Sequence, residues 1–105
     1  TIAAPMPMSG FAASTQGTLA AAAIATELVG RPLPQAVYAN TCYSLIGTDY
    51  GISVAGVYRA SEGKLIEVPN SGGVSPMDAN ASFRVAEARY GAAWYAAISA
   101  DIWGA

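Results

Sequence analysis

One stretch decides the fold of this chain: residues 36–58, with the sequence AVYANTCYSLIGTDYGISVAGVY. Both halves of the stretch are rich in β-branched and aromatic residues, which favour strands. The residues between them, 47–49, are Gly-Thr-Asp and are typical of a turn. A second turn at 61–64 and a third short strand at 65–68 follow. The sequence therefore predicts an antiparallel meander of about three strands.

A helix is predicted on each side of this meander. Ser9 is placed to cap an Ala-rich helix from about residue 10 to residue 29, and Gly30 fits its end. Ser75, which is followed by a proline, is placed to cap a long helix over residues 76–103. The expected fold class is thus α+β: an Ala-rich helix, a small antiparallel sheet and a long C-terminal helix.

Each helix carries an apolar stripe at helical spacing, which is expected to face the core. In the first helix the stripe comprises Leu19, Ala20, Ala23, Ile24 and Leu28. In the last helix it comprises Ala81, Val85, Ala88, Ala92, Tyr95, Ile98 or Ser99, and Ile102. Because the rest of the first helix has small residues instead of charged ones, this helix is expected to pack closely against a neighbour.

Charge is scarce and unevenly placed. Charged residues make up 11% of the chain, the net charge is −2, and the first charged residue is Glu27. Soluble domains carry charge on about a quarter of their residues, and nucleic-acid binding needs a basic face. The longest early apolar run, 19–25, is too short to span a bilayer, and no basic start precedes it. We therefore expect residues 1–26 to be buried against polypeptide outside these 105 residues.

Two residue counts limit the chemistry. The chain has no histidine, which excludes self-contained Ser–His catalysis and a histidine zinc site, and no metal site is expected. It has one cysteine, Cys42, which cannot form a disulfide within the chain. A single strand cysteine is more often an inert buried residue than a reactive one.

Five segments resemble a known flavoprotein family. PMPMSGFAASTQG at 5–17 resembles the segment after the second flavin-binding Asp of FAD-dependent disulfide-reductase-like enzymes. NTCYS at 40–44, DYGISV at 49–54, SGGVSP at 71–76 and the end from 94 to 104 resemble the flavoprotein subunit of flavocytochrome c sulfide dehydrogenase, in its C-terminal domain. The resemblance covers essentially the whole chain.

The resemblance implies a division and a set of partners. Residues 1–35 would end the FAD-binding domain, and 36–105 would form the C-terminal flavin-binding and interface domain. No Gly-x-Gly-x-x-Gly is present, so the chain is expected to be the C-terminal part of a longer or cleaved protein, inactive alone. FAD would be bound in the full protein, sulfide would be its substrate, and a periplasmic c-type cytochrome subunit carrying haem would accept the electrons.

The resemblance also implies roles for particular residues. Cys42 would pair with a cysteine of the N-terminal remainder near the flavin; sulfide would open that bridge, leaving a persulfide, and two electrons would pass to the flavin. Thr41 would line the flavin cavity, and Trp94 would lie beside the ring, facing the cytochrome. Without the family resemblance, core packing is the commoner role for a large aromatic residue such as Trp94.

The turn before the first helix is the other implied flavin contact. Backbone amides of Met8, Ser9, Gly10 and Phe11 would face the N1/C2-carbonyl edge of the ring. The sequence differs from the family pattern at Met8, where a lysine is expected in relatives. Because Met8 carries no positive charge, the helix dipole alone would stabilise the reduced ring. By itself, a single Ser-Gly pair more commonly marks an ordinary capped helix start.

Two rival functions belong to other classes. One is a non-catalytic interaction domain for a cytochrome or for a second copy. The other is a quinone-linked sulfide oxidoreductase whose last helix docks on a membrane. Arg84, Glu87, Arg89 and Asp101 give that helix no basic amphipathic face, which argues against docking.

Overall fold

The computed structural model describes residues 5–33 and 35–104. Within them the elements are α1 (Gly10–Leu28), β1 (Val37–Gly47), β2 (Tyr50–Ser61), β3 (Lys64–Glu67), β4 (Gly73–Val74) and α2 (Ala81–Trp103). The expected α+β class, with a small antiparallel sheet and a long C-terminal helix, is confirmed. The predicted domain over 1–35 includes residues 1–4 and Pro34, which lie outside the described residues, as does Ala105.

The sheet has the order β1-β2-β3, and β4 pairs with β2 as a fourth strand. β2 and β3 pair antiparallel, with Tyr58 opposite Glu67 and Ser61 opposite Lys64. The turn between them has φ of 51° at Glu62 and 75° at Gly63, the positive pair that two-residue hairpins favour. The sequence predicts three strands and a loop at 69–75, so it misses β4. A two-residue strand in a Gly-rich segment has no periodic pattern by which it could be predicted.

The bounds of α1 agree with the sequence, whereas α2 begins five residues later than expected. The Ser9 side chain caps α1 and accepts from the Ala12 amide. The predicted cap at Ser75 is wrong, because its hydroxyl accepts from the Ser53 amide at 2.8 Å and its amide donates to the Ser53 carbonyl at 3.0 Å. Asn80 caps α2 instead and accepts from the Phe83 amide at 2.9 Å.

The described residues pack as two compact units. Unit 1 comprises 5–33, 35–41 and 55–73, and unit 2 comprises 42–54 and 74–104. In unit 1 the core consists of Met6, Ala12 and Tyr58, with Tyr38 and Leu65 packed against it.

Most of α1 is exposed in the described structure. Ala12 is its one buried residue, whereas Ile24 is 60% exposed and Leu28 is 81% exposed. The stripe predicted to face the core is therefore not buried at these two positions by the described residues. Burial of this helix by further polypeptide remains a prediction.

In unit 2 the buried face of α2 comprises Arg84, Ala88 and Gly91, which recur at helical spacing. A Cβ at Gly51 of β2 would meet the backbone of Ala88 and lie 2.7 Å from the carbonyl carbon of Glu87, so strand and helix are in backbone contact. Of the predicted stripe, Ala88 is buried and Tyr95 is 69% exposed. Among the described residues, neither helix has both the length and the hydropathy to cross a bilayer.

Candidate functional site

In unit 1, the opening turn of α1 is tied to strand β1. The Ser9 hydroxyl accepts from the Ala12 amide at 3.1 Å and donates to Oδ1 of Asn40. Asn40 lies in β1, immediately before Thr41 in the sequence, and is 2% exposed. The Ser9 hydroxyl therefore caps the N-terminus of α1 and also connects the first turn of α1 to β1.

The same turn presents polar backbone groups. Ser9 uses its side chain for the Ala12 amide and its carbonyl for the Ala13 amide at 3.0 Å. The amide of Gly10 comes too early in α1 to have an acceptor four residues before it within the helix. Gly10 is exposed, and Met8 is 84% exposed. This helix start has no acidic residue in its first turn, so it can accommodate a carbonyl or anionic edge of a ligand. The expectation that the Ser9 amide faces the flavin is wrong, because this amide donates to the Pro7 carbonyl at 3.1 Å.

Thr41 and Cys42 lie in the middle of β1 and are half-buried. Consecutive side chains of a strand point to opposite faces. Tyr43 packs against α2, so the Cys42 thiol belongs to the other face of the strand. The strand fixes the position of the Cys42 backbone, and the residue as a whole is half-buried.

Trp94 of α2 packs against Tyr43 within unit 2. The two ring centroids are 6.5 Å apart and the planes are tilted by 35°, an arrangement that is favourable between aromatic rings. Trp94 is half-buried, so part of its indole stays accessible. Burial raises the pKa of the Tyr43 phenol above its ordinary value, and Glu87 and then Tyr90 raise it further.

Arg84 of α2 is a buried cation. It is 5% exposed, and its Nη2 donates to the carbonyls of Pro76 at 2.7 Å and Met77 at 3.3 Å. Its guanidinium carbon lies 5.0 Å from the centroid of the Tyr50 ring, within the range of a cation–π contact. Its two hydrogen bonds anchor the segment before α2.

Within each unit the structure brings some of the predicted residues to defined partners. Ser9 contacts Asn40, and Trp94 contacts Tyr43. Asn40 and Tyr43 were part of the NTCYS motif but were given no role from the sequence. A polar residue at the centre of an apolar strand is the feature that points to Asn40, because a buried amide requires hydrogen-bond partners. Among the described residues, no group of three or more His, Cys, Asp or Glu side chains is placed to hold a metal ion.

The family follows from a comparison with known protein families. A family described as flavocytochrome c sulphide dehydrogenase, flavin-binding, matches residues 34–103, about two thirds of the chain. The chain therefore belongs to this flavin-binding family, and the resemblance of its motifs is confirmed. Thr41, Cys42 and Trp94 lie within the matched region, whereas the turn from Met8 to Phe11 precedes it.

Proposed function

We propose that this chain is the C-terminal part of a flavoprotein that oxidises sulfide and passes the electrons to a c-type cytochrome. The observation that carries the proposal is Cys42, a half-buried thiol in the middle of a strand and within the region that matches a flavin-binding sulfide dehydrogenase family. The proposed division is residues 1–35 as the end of an FAD-binding domain and 36–105 as the flavin-binding and interface domain.

Cys42 is the proposed reacting group. The family resemblance implies that in the oxidised protein it forms a disulfide with a cysteine of the N-terminal remainder. Hydrosulfide attacks the Cys42 sulfur, the disulfide bond breaks as a new sulfur–sulfur bond forms, and the partner cysteine leaves as a thiolate. The products are a persulfide on Cys42 and one thiolate, so atoms and charge balance. FAD, when bound, supplies a two-electron acceptor for this centre.

The opening turn of α1 and the indole of Trp94 are proposed to contact the flavin. Of the four residues expected to contact the ring (Met8, Ser9, Gly10 and Phe11), Ser9 already donates its amide to the Pro7 carbonyl at 3.1 Å. The proposed contact therefore rests on the exposed residues Met8 and Gly10 and on the helix N-terminus, which favours negative charge on a bound ring. Met8 brings no cation to this turn. Replacing Met8 by lysine is therefore expected to raise the flavin midpoint potential, whereas Met8→Leu should leave it unchanged. Thr41 is proposed to line the same cofactor site.

The partner and the compartment are proposed from the family. A c-type cytochrome with covalent haem would receive the electrons, and a periplasmic location would allow a stable disulfide. The non-catalytic rival is an interaction domain, and the exposed apolar residues Ile24 and Leu28 of α1 are compatible with it. A quinone-linked relative is the other rival. It predicts reduction of a quinone, with cytochrome c as a poor acceptor.

The test is anaerobic reduction of the flavoprotein by sulfide, followed by flavin absorbance. Cys42→Ser should slow the sulfide-dependent reduction by more than about 100-fold, because it removes the sulfur that accepts hydrosulfide. Ser44→Ala is the matched control, since Ser44 lies two residues further on the same strand face and is exposed. Unchanged sulfide turnover in Cys42→Ser would favour the interaction domain and would refute the proposed role of the thiol.

A further inference from the structure

Tyr43 connects the strand that carries Cys42 to three successive turns of α2. Gly91 is buried beneath it, and a Cβ at position 91 would lie 3.2 Å from the Cβ of Tyr43 and 3.1 Å from Cδ2 of Leu45. The strand therefore rests on the helix where the helix has no side chain. From that contact the Tyr43 ring reaches the indole of Trp94, three residues after Gly91.

The surroundings of Tyr43 favour the protonated, neutral form of its phenol. Burial, Glu87 and Tyr90 all raise the pKa of the Tyr43 phenol, so the phenol stays protonated throughout the neutral and mildly alkaline range. The ring contact with Trp94 is consequently independent of pH over that range. Tyr95, the next residue after Trp94, is 69% exposed and offers a comparison ring on the same helix.

We propose that Tyr43 is a positioning residue: its ring, seated on Gly91, holds the indole of Trp94 in a single orientation. The inference rests on the proposed function in one respect: the contact between Trp94 and the flavin is part of that proposal. In that setting, the residue next to the reactive cysteine determines how the tryptophan is presented to the cofactor. The ring of Tyr43 carries this role, not its hydroxyl.

The first test needs no flavin. Within these 105 residues, Trp103→Phe leaves Trp94 as the one tryptophan. Its indole is then followed by near-UV circular dichroism and by acrylamide quenching of fluorescence. In this background Tyr43→Leu should at least double the quenching constant and reduce the indole circular dichroism band by half or more. Tyr43→Phe should keep the quenching constant and the circular dichroism band of the background protein, and Tyr95→Leu should also leave both unchanged.

Two outcomes would overturn the proposal. One is an indole signal that Tyr43→Leu leaves unchanged. The other is a Tyr43→Phe variant as altered as Tyr43→Leu, which would give the role to the hydroxyl. If Tyr43→Leu does not fold, Gly91→Ala provides the second variant. Its methyl group pushes Tyr43 away from the helix and should also raise the quenching constant. An unchanged constant there would count against the proposal equally.

A second arm separates this inference from the proposed function. In the FAD-containing flavoprotein, Tyr43→Leu should shift the flavin absorbance band and slow reduction by sulfide, whereas Tyr43→Phe should behave as the parent. A flavin that is unaffected while the indole signal changes would refute the contact between Trp94 and the flavin. The positioning of Trp94 by Tyr43 would stand in that case.

Discussion

The Ser9 hydroxyl makes two hydrogen bonds at once, so its removal should cost more than removal of an ordinary helix cap. Ser9→Ala removes the acceptor of the Ala12 amide and the donor to Asn40. Loss of an N-cap costs about 1 kcal/mol. Loss of the bond to a fully buried side chain costs about another 1 kcal/mol. The expected decrease in the free energy of unfolding is therefore about 2 kcal/mol, or roughly 30-fold in the folding equilibrium.

Asn80→Ala supplies the matched control at the other helix. Asn80 caps α2 through the Phe83 amide at 2.9 Å, in an exposed position and through a bond of the same kind. Its replacement should cost about 1 kcal/mol, half the effect at Ser9. The measurement is urea unfolding of the purified chain followed by far-UV circular dichroism, with the slope against denaturant unchanged in both variants.

A double-mutant cycle isolates the bond between the helix and the strand. Ser9→Ala and Asn40→Ala are measured singly and together, and their coupling energy should be about 1 kcal/mol. A coupling near zero, or a Ser9→Ala effect no larger than that of Asn80→Ala, would show that the tie between the first turn of α1 and β1 does not stabilise the protein.

Three further results are expected from the described contacts. Gly51→Ala should lower the free energy of unfolding by about 3 kcal/mol, because the backbone of α2 occupies the space that a Cβ needs. Gly17 lies in open space within α1, so Gly17→Ala should raise the free energy of unfolding by about 0.8 kcal/mol. Urea unfolding measures both effects. Arg84→Ala should cost about 3 kcal/mol in the same assay through its lost bonds to two carbonyls, and a cost no greater than that of exposed Arg89→Ala would contradict this. Because the pKa of Tyr43 is raised in the folded state, the unfolded chain loses this proton first, so stability should fall as pH rises from about 10 through the folded pKa. Tyr43→Phe should remove that part of the decline. An identical alkaline decline in this variant would refute the contribution of Tyr43.

Local patterns predicted those features that depend on local bonds. Ser9 begins α1 because its own hydroxyl reaches an amide three residues on, and Gly30 lies just past the helix end as expected. The turn at 48–49 falls where the Gly-Thr-Asp sequence indicates one. The family resemblance rested on motifs such as NTCYS and was confirmed by the comparison over 34–103.

Features that depend on distant partners were not predictable from local patterns. Ser75 has every local property of a helix cap, yet it bonds to Ser53, which is 22 residues away. Arg84 is a charged residue of a long helix, and its burial follows from carbonyls contributed by Pro76 and Met77. Asn40 is buried because a hydroxyl 31 residues earlier in the sequence bonds to it. In each case a hydrogen bond to another segment of the chain outweighs the local preference.

Mass spectrometry of the Cys42 peptide tests the proposed chemistry most directly. The flavoprotein is digested without reductant, first as isolated in the oxidised state and then after anaerobic addition of one equivalent of sulfide. We expect the peptide to be joined to a second cysteine peptide before sulfide, and to be heavier by one sulfur atom afterwards. A Cys42 peptide that remains an unmodified thiol in both samples would contradict its role in sulfide oxidation.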